Sequence, residues 1–254
     1  MINRIAVKTL IARELKRSFR VPVQVLGAPV VTAALFFLVF GFSVGPRIGE
    51  IDGLSYSSFI MPGLIMMNVL TSTFMAVSSS FMLAKIMNVL SDLLVSPMSN
   101  LELVLGFSVA TILRGLLTAV LIYLVALFFV PAQIDHPFYL VTFLIIVSAI
   151  FAMLGLIVGL WASTFEQMSI FPTFLITPLT FLGGVFYSVK MLPPLFQTVS
   201  HFNPFLYMIN GVRYGFYGVT DINPMISYAV ALVLMIAAGY AAWYLLSIGY
   251  KIRN

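Results

Sequence analysis

Side chains that could carry out chemistry are few in this sequence, and none forms a known catalytic pattern. The two histidines, His136 and His201, are far apart, and each stands beside the end of an apolar segment. There is no H-E-x-x-H and no G-x-S-x-G, so the chain has no visible nucleophile and base for a membrane hydrolase. No lysine follows a glycine, which excludes a P-loop and ATP hydrolysis by that route. With no cysteine there is no disulfide and no thiolate ligand, and we predict no metal site and no cofactor in this chain.

Arg114 is the one charged side chain well inside a predicted span. It stands about 15 Å along its helix, where a charge is costly and is expected to face protein or water. Three interpretations are open. The side chain snorkels to the membrane surface, or it pairs across the bundle, where Glu166 is the nearest candidate although we expect that residue at the surface. A proton relay is least favoured, because no second deep carboxylate is present to receive the proton.

Composition indicates which elements hold these residues. The 254 residues are 61% hydrophobic and only 8% charged, whereas a soluble globular protein carries roughly 25% charged residues. A soluble fold of this length could not hide so much apolar surface, so the solvent must be a bilayer. Continuous apolar runs favour helices over barrel strands. We predict an all-α membrane protein with a cytoplasmic interfacial helix in residues 1-22 and one six-helix transmembrane domain in residues 23-250. Its spans lie near residues 23-44, 57-79, 104-130, 139-162, 168-188 and 226-248.

Lysine and arginine predict the orientation. Nine lie on the side of the termini: six within residues 1-20, then Lys85, Lys251 and Arg253. Three lie on the other side: Arg47, Lys190 and Arg213. Positive residues favour the cytoplasm, and an even number of helices places both termini on the same side. We therefore expect both termini to be cytoplasmic in a multi-pass protein of the bacterial cytoplasmic (inner) membrane.

Residues 11-20, IARELKRSFR, form a basic amphipathic segment. A helical projection places Ile11, Ala12, Leu15 and Phe19 on one face, and it places Arg13, Lys16, Arg17 and Arg20 on the other. Such a helix is expected to lie flat in the cytoplasmic headgroup layer with its apolar face down. The alternative is that the positive charge serves only as a topology signal.

The loop after the second span, residues 85-107, contains a second amphipathic pattern. Pro97 ends a short helix, and Ser99 followed by Glu102 fits a capping box that starts the third span. Two interpretations remain open: a helix that merely rests on the bilayer, and a lever presented to a cytoplasmic partner. The apolar stripe of the short helix is Ile86, Val89, Leu90, Leu93 and Leu94.

Residues 177-218 are apolar but broken by proline and glycine. Two runs of about ten residues, separated at Asn203-Pro204, are each too short to cross a bilayer. Broken backbone at membrane depth is tolerated where protein encloses it, so we predict a re-entrant helical hairpin on the extracytoplasmic side, between helices 5 and 6. The alternative is a pair of interfacial helices with aromatic anchors. Those anchors would be Phe202, Phe205, Tyr207, Tyr214, Phe216 and Tyr217.

Taken in order, these segments resemble the membrane subunit of an ABC-2-type ABC transporter. The resemblance covers nearly the whole chain, and the linked set TPLTFLGGVFYS, LPP and FNP-x-x-Y-x-x-x-x-x-R is its most specific part. The other matching segments are ARELKRSFR, IMPGLIMM and LLVSPMSNLELVLG.

The resemblance implies a six-helix permease that dimerises, here expected as a homodimer, and pairs with two cytoplasmic P-loop ATPase subunits that hold ATP and magnesium. It implies no nucleic-acid partner. The loop after helix 2 would be a coupling helix docked on the ATPase, and the segment before helix 6 would be the extracytoplasmic gate. The coupling residues would be Val89, Leu90, Asp92, Leu93, Ser96, Pro97 and Ser99. The gate residues would be Pro193, Pro194, Asn203, Pro204, Tyr207 and Arg213.

We expect export of an amphipathic substrate, such as a lipid-linked saccharide, a polysaccharide, a lipid or a drug, between the two copies. Met66, Met67, Phe74 and Met75 could line this pathway because methionine adapts to varied apolar shapes, although ordinary packing explains each of them as well. The rival hypothesis is a secondary transporter or channel that works without ATP. A membrane scaffold that anchors a partner is a third.

Overall fold

The computed structural model describes residues 3–131 and 133–251, without the side chains of residues 24, 91, 92 and 94. Helices make up most of this part of the chain, with one short antiparallel hairpin, β1 (Glu50–Ile51) and β2 (Leu54–Ser55). The prediction of a helical membrane protein is therefore confirmed. The helices are α1 (Arg4–Ser18), α2 (Val25–Ile48), α3 (Tyr56–Ile86), α4 (Val89–Val95), α5 (Asn100–Ala126), α6 (Pro137–Trp161), α7 (165–182), α8 (Pro194–His201), α9 (Pro204–Tyr217) and α10 (Pro224–Ser247).

Five of the described helices, α2, α3, α5, α6 and α10, are long and apolar enough to cross a membrane. The predicted fifth span is helical only over residues 165–182 and not to residue 188, which makes α7 about 27 Å long. A π-helical turn, Pro172–Ile176, interrupts α7 because Pro172 and Pro178 cannot donate backbone hydrogen bonds. Gly183 and Gly184 then end the helix, and Gly184 has a φ of +84°.

Helix α3 is the centre of the bundle. In its most apolar stretch 83% of the residues are buried, and it packs closely against α6. On α6, Gly155 and Gly159 face the backbone of α3, where an added Cβ would stand 2.5 Å from the carbonyl oxygen of Phe74 and 2.7 Å from that of Ser78. Small residues at this spacing let two membrane helices approach closely.

Helices α2 and α10 are peripheral. Only 11% of the most apolar stretch of α2 and 22% of that of α10 are buried in this chain. Their outward faces are therefore free to contact lipid or another chain.

The second span ends later than predicted. Helix α3 continues to Ile86, and not to residue 79, because Lys85 does not interrupt it: its ammonium donates to the last carbonyls of α6, those of Leu160 and Ala162. Ile86 thus belongs to α3 and not to the short helix that follows. Asn88, with a φ of +58°, makes the turn between them.

Candidate functional site

The predicted cytoplasmic helix is present as α4, Val89–Val95. Leu90 is buried in an apolar cluster with Leu10 and Phe81, and Val89 and Leu93 are half-buried against it. Val95 is 87% exposed, and Pro97 is exposed in the turn after it. The hydroxyl of Ser96 donates to the carbonyl of Leu93. The side chain of Asp92 lies outside the described part, so its contacts are not described.

The predicted capping box at the start of α5 is confirmed, and it has a second role that the sequence did not indicate. Glu102 accepts from the backbone N–H of Ser99 at 2.6 Å, and the Ser99 hydroxyl accepts from Glu102 N–H at 3.3 Å. The other oxygen of the buried Glu102 carboxylate accepts from the backbone N–H of Asn3, the N-cap of α1. One carboxylate thus joins the first turns of α1 and α5, directly after α4. The sequence predicts that this end is cytoplasmic, so we call α1, α4 and the first turn of α5 the cytoplasmic joint.

Helix α1 packs on the bundle through a face that differs from the predicted apolar one. Leu10 lies against Gly106 of α5, and the buried Glu14 accepts from Ser80 of α3. Arg13 and Arg17 pair with the same carboxylate at 3.1 and 3.2 Å. Glu14 is thus the residue that sequence reasoning missed; the available signal was an acid among six basic residues. Of the predicted apolar face, Ile11 and Leu15 are half-buried, and Ala12 and Phe19 are exposed.

At the opposite end of the bundle, α9 follows α6 inward. Its Phe205 meets Phe151 edge to face at 5.6 Å, Gly211 contacts Phe143, and Gly215 contacts Leu140 near the start of α6. Helix α9 is about 21 Å long, so it runs from deep in the bundle to the end where α6 begins. Of the six candidate anchors, Phe205, Phe216 and Tyr217 are buried, Tyr207 and Tyr214 are half-buried, and Phe202 is exposed. Protein therefore encloses most of α9, as the backbone of a re-entrant segment requires.

The vertex of the α8–α9 hairpin is tied to α7. The side-chain amide of Asn203 donates to the carbonyl of Leu179 at 2.7 Å, while its oxygen accepts from Phe205 N–H and caps α9. Pro194 and Pro204 each begin a helix, where proline loses no hydrogen bond, and Pro193 precedes the first of them. The Tyr207 hydroxyl donates to the carbonyl of His201, which closes the hairpin. Helix α8 leaves apolar side chains exposed, namely Leu195, Phe196 and Val199.

Arg213 is the most unusual side chain of this end. It is 1% exposed, its guanidinium lies 3.9 Å above the ring of Phe59, and one Nη donates to the carbonyl of Gly184 at 2.7 Å. Its Nε and other Nη have no hydrogen-bond partner among the described residues. A buried cation so poorly satisfied is costly, so its contribution to stability is not evident from its contacts.

Next to Arg213 lies a polar cluster that sequence reasoning missed. Asp221 accepts from the ammonium of Lys190 at 3.1 Å and from the hydroxyl of Ser188 at 2.8 Å, and Lys190 also reaches Asp52 at 3.5 Å. The hydrogen bond to Asp221 raises the pKa of Lys190 above its ordinary value. The signal for this cluster was the small number of charges on the side that the sequence predicts to be extracytoplasmic.

The candidate pathway residues divide into two pairs. Met66 and Phe74 are buried inside this chain, whereas Met67 and Met75 are half-buried on another face of α3. Thr71 lies between them on that face and is also half-buried. The structure thus brings Met67 and Met75 onto one partly open stripe and does not bring the other two there.

Arg114 is half-buried on α5, and its Nε has no hydrogen-bond partner in the described ranges. Glu166 is exposed at the start of α7 and forms no ion pair with it there. The pairing considered from sequence is therefore not formed.

Known proteins resemble this chain along most of its length. The family model described as ABC-2 type transporter matches residues 5–217. The "Inner membrane transport permease YadH" of Escherichia coli (strain K12) is 41% identical over 250 residues, which cover 98% of each chain. "Nodulation protein J" of Sinorhizobium fredii (strain NBRC 101917 / NGR234) is 26% identical over 174 residues, 68% of this chain and 66% of that protein. "Nodulation protein J" of Rhizobium leguminosarum bv. viciae is 25% identical over 180 residues, 70% of each.

Proposed function

Because the chain belongs to the ABC-2 type transporter family, whose members are transport permeases and not catalytic subunits, we propose that it is the membrane subunit of an ATP-driven exporter. ATP hydrolysis takes place in separate cytoplasmic ATPase subunits, two for each pair of permeases. Two identical copies of the chain would form the pathway, and an amphipathic substrate would be exported between them. The name of the E. coli relative supports a place in the bacterial inner membrane.

The observation that carries the proposal is the cytoplasmic joint. Helix α4 is short, has an exposed end at Val95 and is bound to the bundle through Leu90. Directly after it, Glu102 holds the starts of α1 and α5 together. A force applied to α4 from the cytoplasm would therefore reach two other helices through one carboxylate. Such an arrangement suits a lever that a partner pushes better than it suits a helix resting on the bilayer.

The α8–α9 hairpin fits an extracytoplasmic gate. In the proposed orientation α7 is the fifth of six spans, both termini are cytoplasmic, and the hairpin enters from the outer side. Its vertex at Asn203 is bonded to α7, so movement of α7 would move the hairpin. When ATP binding brings the ATPases together, the helices would rotate as rigid bodies. The hairpin would be the last part of the pathway to open. The stripe with Met67 and Met75 would face the substrate.

The experiment that tests the proposal is purification of the chain from native membranes in mild detergent, with identification of the proteins that accompany it. We expect a stoichiometric P-loop ATPase. Replacement of Asp92 and Leu93 together by alanine should release it and uncouple ATP hydrolysis from transport, because both residues lie on α4. The matched control is Leu113→Ala, which changes an exposed apolar residue of α5 beyond the joint and should retain the ATPase.

Two results would count against the proposal. Full coupling in the double variant would remove α4 from the contact with the ATPase. The absence of any ATPase, with transport driven by an ion gradient in nucleotide-free vesicles, would favour a secondary transporter.

A further inference from the structure

A deep apolar groove opens on the side of the bundle between α6, α7 and α10. Its volume is about 580 Å³. On α6 it extends from Ile150 to Trp161, and on α10 from Leu234 to Leu245. Each stretch is about 16 Å long, which is half of the roughly 30 Å hydrocarbon core of a bilayer. The groove therefore follows one leaflet, on the side of the two termini, and this is the cytoplasmic leaflet in the orientation proposed above.

The walls of the groove suit a hydrocarbon chain. The lining side chains are aliphatic, aromatic or methionine, with Trp161 and Tyr250 at the end near the termini. Tryptophan and tyrosine prefer the membrane–water interface, which places the headgroup level there. The inner end is closed by Pro204 and Phe205, the first residues of α9. A hydrocarbon chain that filled the groove would thus contact the first turn of α9.

Two cations stand at the open end. The ammonium of Lys251 donates to the carbonyl of Trp161 at 3.0 Å and lies 5.4 Å from the centre of its ring. The ammonium of Lys85 donates to the neighbouring carbonyls of Leu160 and Ala162 at 3.0 and 3.3 Å. Among the described residues no carboxylate pairs with either lysine. Since each ammonium has three donors, hydrogen bonds remain for an anion at this level.

We propose that the groove is a binding site for an anionic glycerophospholipid of the membrane. One acyl chain lies along α6 and α10, and the phosphate lies beside Lys85 and Lys251. The occupant is an ordinary membrane lipid and not the exported substrate, so the site is independent of what the protein transports. Because the end of the acyl chain contacts Phe205, the bound lipid stabilises the first turn of α9, although the lipid lies in the leaflet opposite the one from which the hairpin enters.

The test is a lipid titration of the purified full-length protein in detergent, followed by native mass spectrometry. The probes are phosphatidylglycerol and phosphatidylcholine with the same two oleoyl chains. We expect phosphatidylglycerol to bind about tenfold more tightly, because polybasic membrane sites favour anionic headgroups. Lys251→Gln should remove this preference. Its control, Lys8→Gln, removes one exposed positive charge on the same side and should leave the preference unchanged.

A groove-filling variant tests the acyl-chain half of the site. Leu154 lines the groove and is partly exposed, so Leu154→Trp should occupy it and abolish tight binding of both lipids. Leu124→Trp on the exposed face of α5 is the control and should bind lipid as the unmodified protein does.

Three outcomes would overturn the assignment. The first is wild-type lipid binding by Leu154→Trp, or equal affinity for the two probes. The second is loss of a dimer in Leu154→Trp, since the groove would then be an interface between two copies. The third is a co-purified ligand whose mass is not that of a glycerophospholipid, since the site would then hold the transported molecule.

Discussion

Arg213→Met replaces the buried cation of the hairpin with an apolar side chain of similar length. In the structure the guanidinium gains one hydrogen bond, at 2.7 Å to Gly184, and one contact with the ring of Phe59 at 3.9 Å. A hydrogen bond to a charged group contributes about 1.5–3 kcal/mol, and a desolvated cation–π contact contributes about 2 kcal/mol. Against these gains, each of two unpartnered N–H groups costs about 1–3 kcal/mol. Burial of the charge costs several kcal/mol more.

Asp221 and Asp52 also attract the guanidinium, but we expect the unfavourable contributions to be the larger. The charge should then destabilise the hairpin in the conformation of this structure, which we call the closed form. We expect Arg213→Met to favour the closed form by about 1–3 kcal/mol, since apolar replacement of buried ionic groups is often stabilising by such amounts. A difference of about 1.4 kcal/mol is tenfold in an equilibrium constant. The population of the open form should therefore fall by about 5- to 150-fold, and transport should fall with it, while the protein unfolds at an unchanged or higher temperature.

The absence of cysteine from the chain makes a clean assay possible. Val185 is buried against Gly63, next to Gly184, whose carbonyl accepts from Arg213, so Val185→Cys supplies one buried thiol. We expect this thiol to become accessible when the hairpin opens. The measurement is the rate at which a membrane-impermeant maleimide labels this thiol. We expect about tenfold slower labelling with Arg213→Met. Arg213→Lys keeps the charge and serves as the control, with labelling at least as fast as that of the Val185→Cys protein.

Faster labelling and a lower unfolding temperature in Arg213→Met would refute this reasoning. They would show that the hydrogen bond and the ring contact outweigh desolvation, and that Arg213 is a latch holding the hairpin shut. Phe59→Leu, tested with and without Arg213→Met, separates the contribution of the ring contact from that of the hydrogen bond to Gly184. The labelling rate should change only where the cation is present.

Three further predictions concern the cytoplasmic joint and the polar cluster around Asp221. Gly106→Val places a side chain where Leu10 of α1 lies, so the free energy of unfolding measured with denaturant should fall by about 1–3 kcal/mol; unchanged stability would mean that α1 is not packed as described. Glu14→Gln leaves Arg13 and Arg17 without their carboxylate partner and should lower the free energy of unfolding by about 1–3 kcal/mol in the same measurement. Equal stability would show that these ion pairs do not hold α1 in place. The hydrogen bond to Asp221 raises the pKa of Lys190, so this contribution is present below the pKa of a lysine in the unfolded chain, about 10.4, and is lost as the pH rises through the higher folded value. Compared with Lys190→Met, the protein should keep a constant stability advantage between about pH 6 and 9 and lose it in stronger alkali; an advantage that persists there would contradict the assignment.

Much of the architecture could be predicted because it follows from local properties of the chain. A span needs only a sufficient apolar length, so all five long helices lie close to predicted segments. Proline and capping residues act within a few positions, which is why the break at Pro97 and the capping box from Ser99 to Glu102 were predictable. Local rules failed at helix ends that distant groups decide. Helix α3 passes Lys85 because carbonyls of α6, far along the sequence, accept its ammonium hydrogens.

By itself the sequence determined the class of the protein, the approximate spans and two broken segments that are too short to cross the bilayer, because hydropathy, charge and proline act locally. Only the tertiary structure decided which polar groups meet. Glu102 bonds to Asn3, Arg213 to Gly184, and Asp221 to Lys190, across separations that no pattern along the chain records. In a chain with so few charges, each pairing depends on where packing brings the helices, since a buried polar group must be satisfied by whatever lies next to it in space.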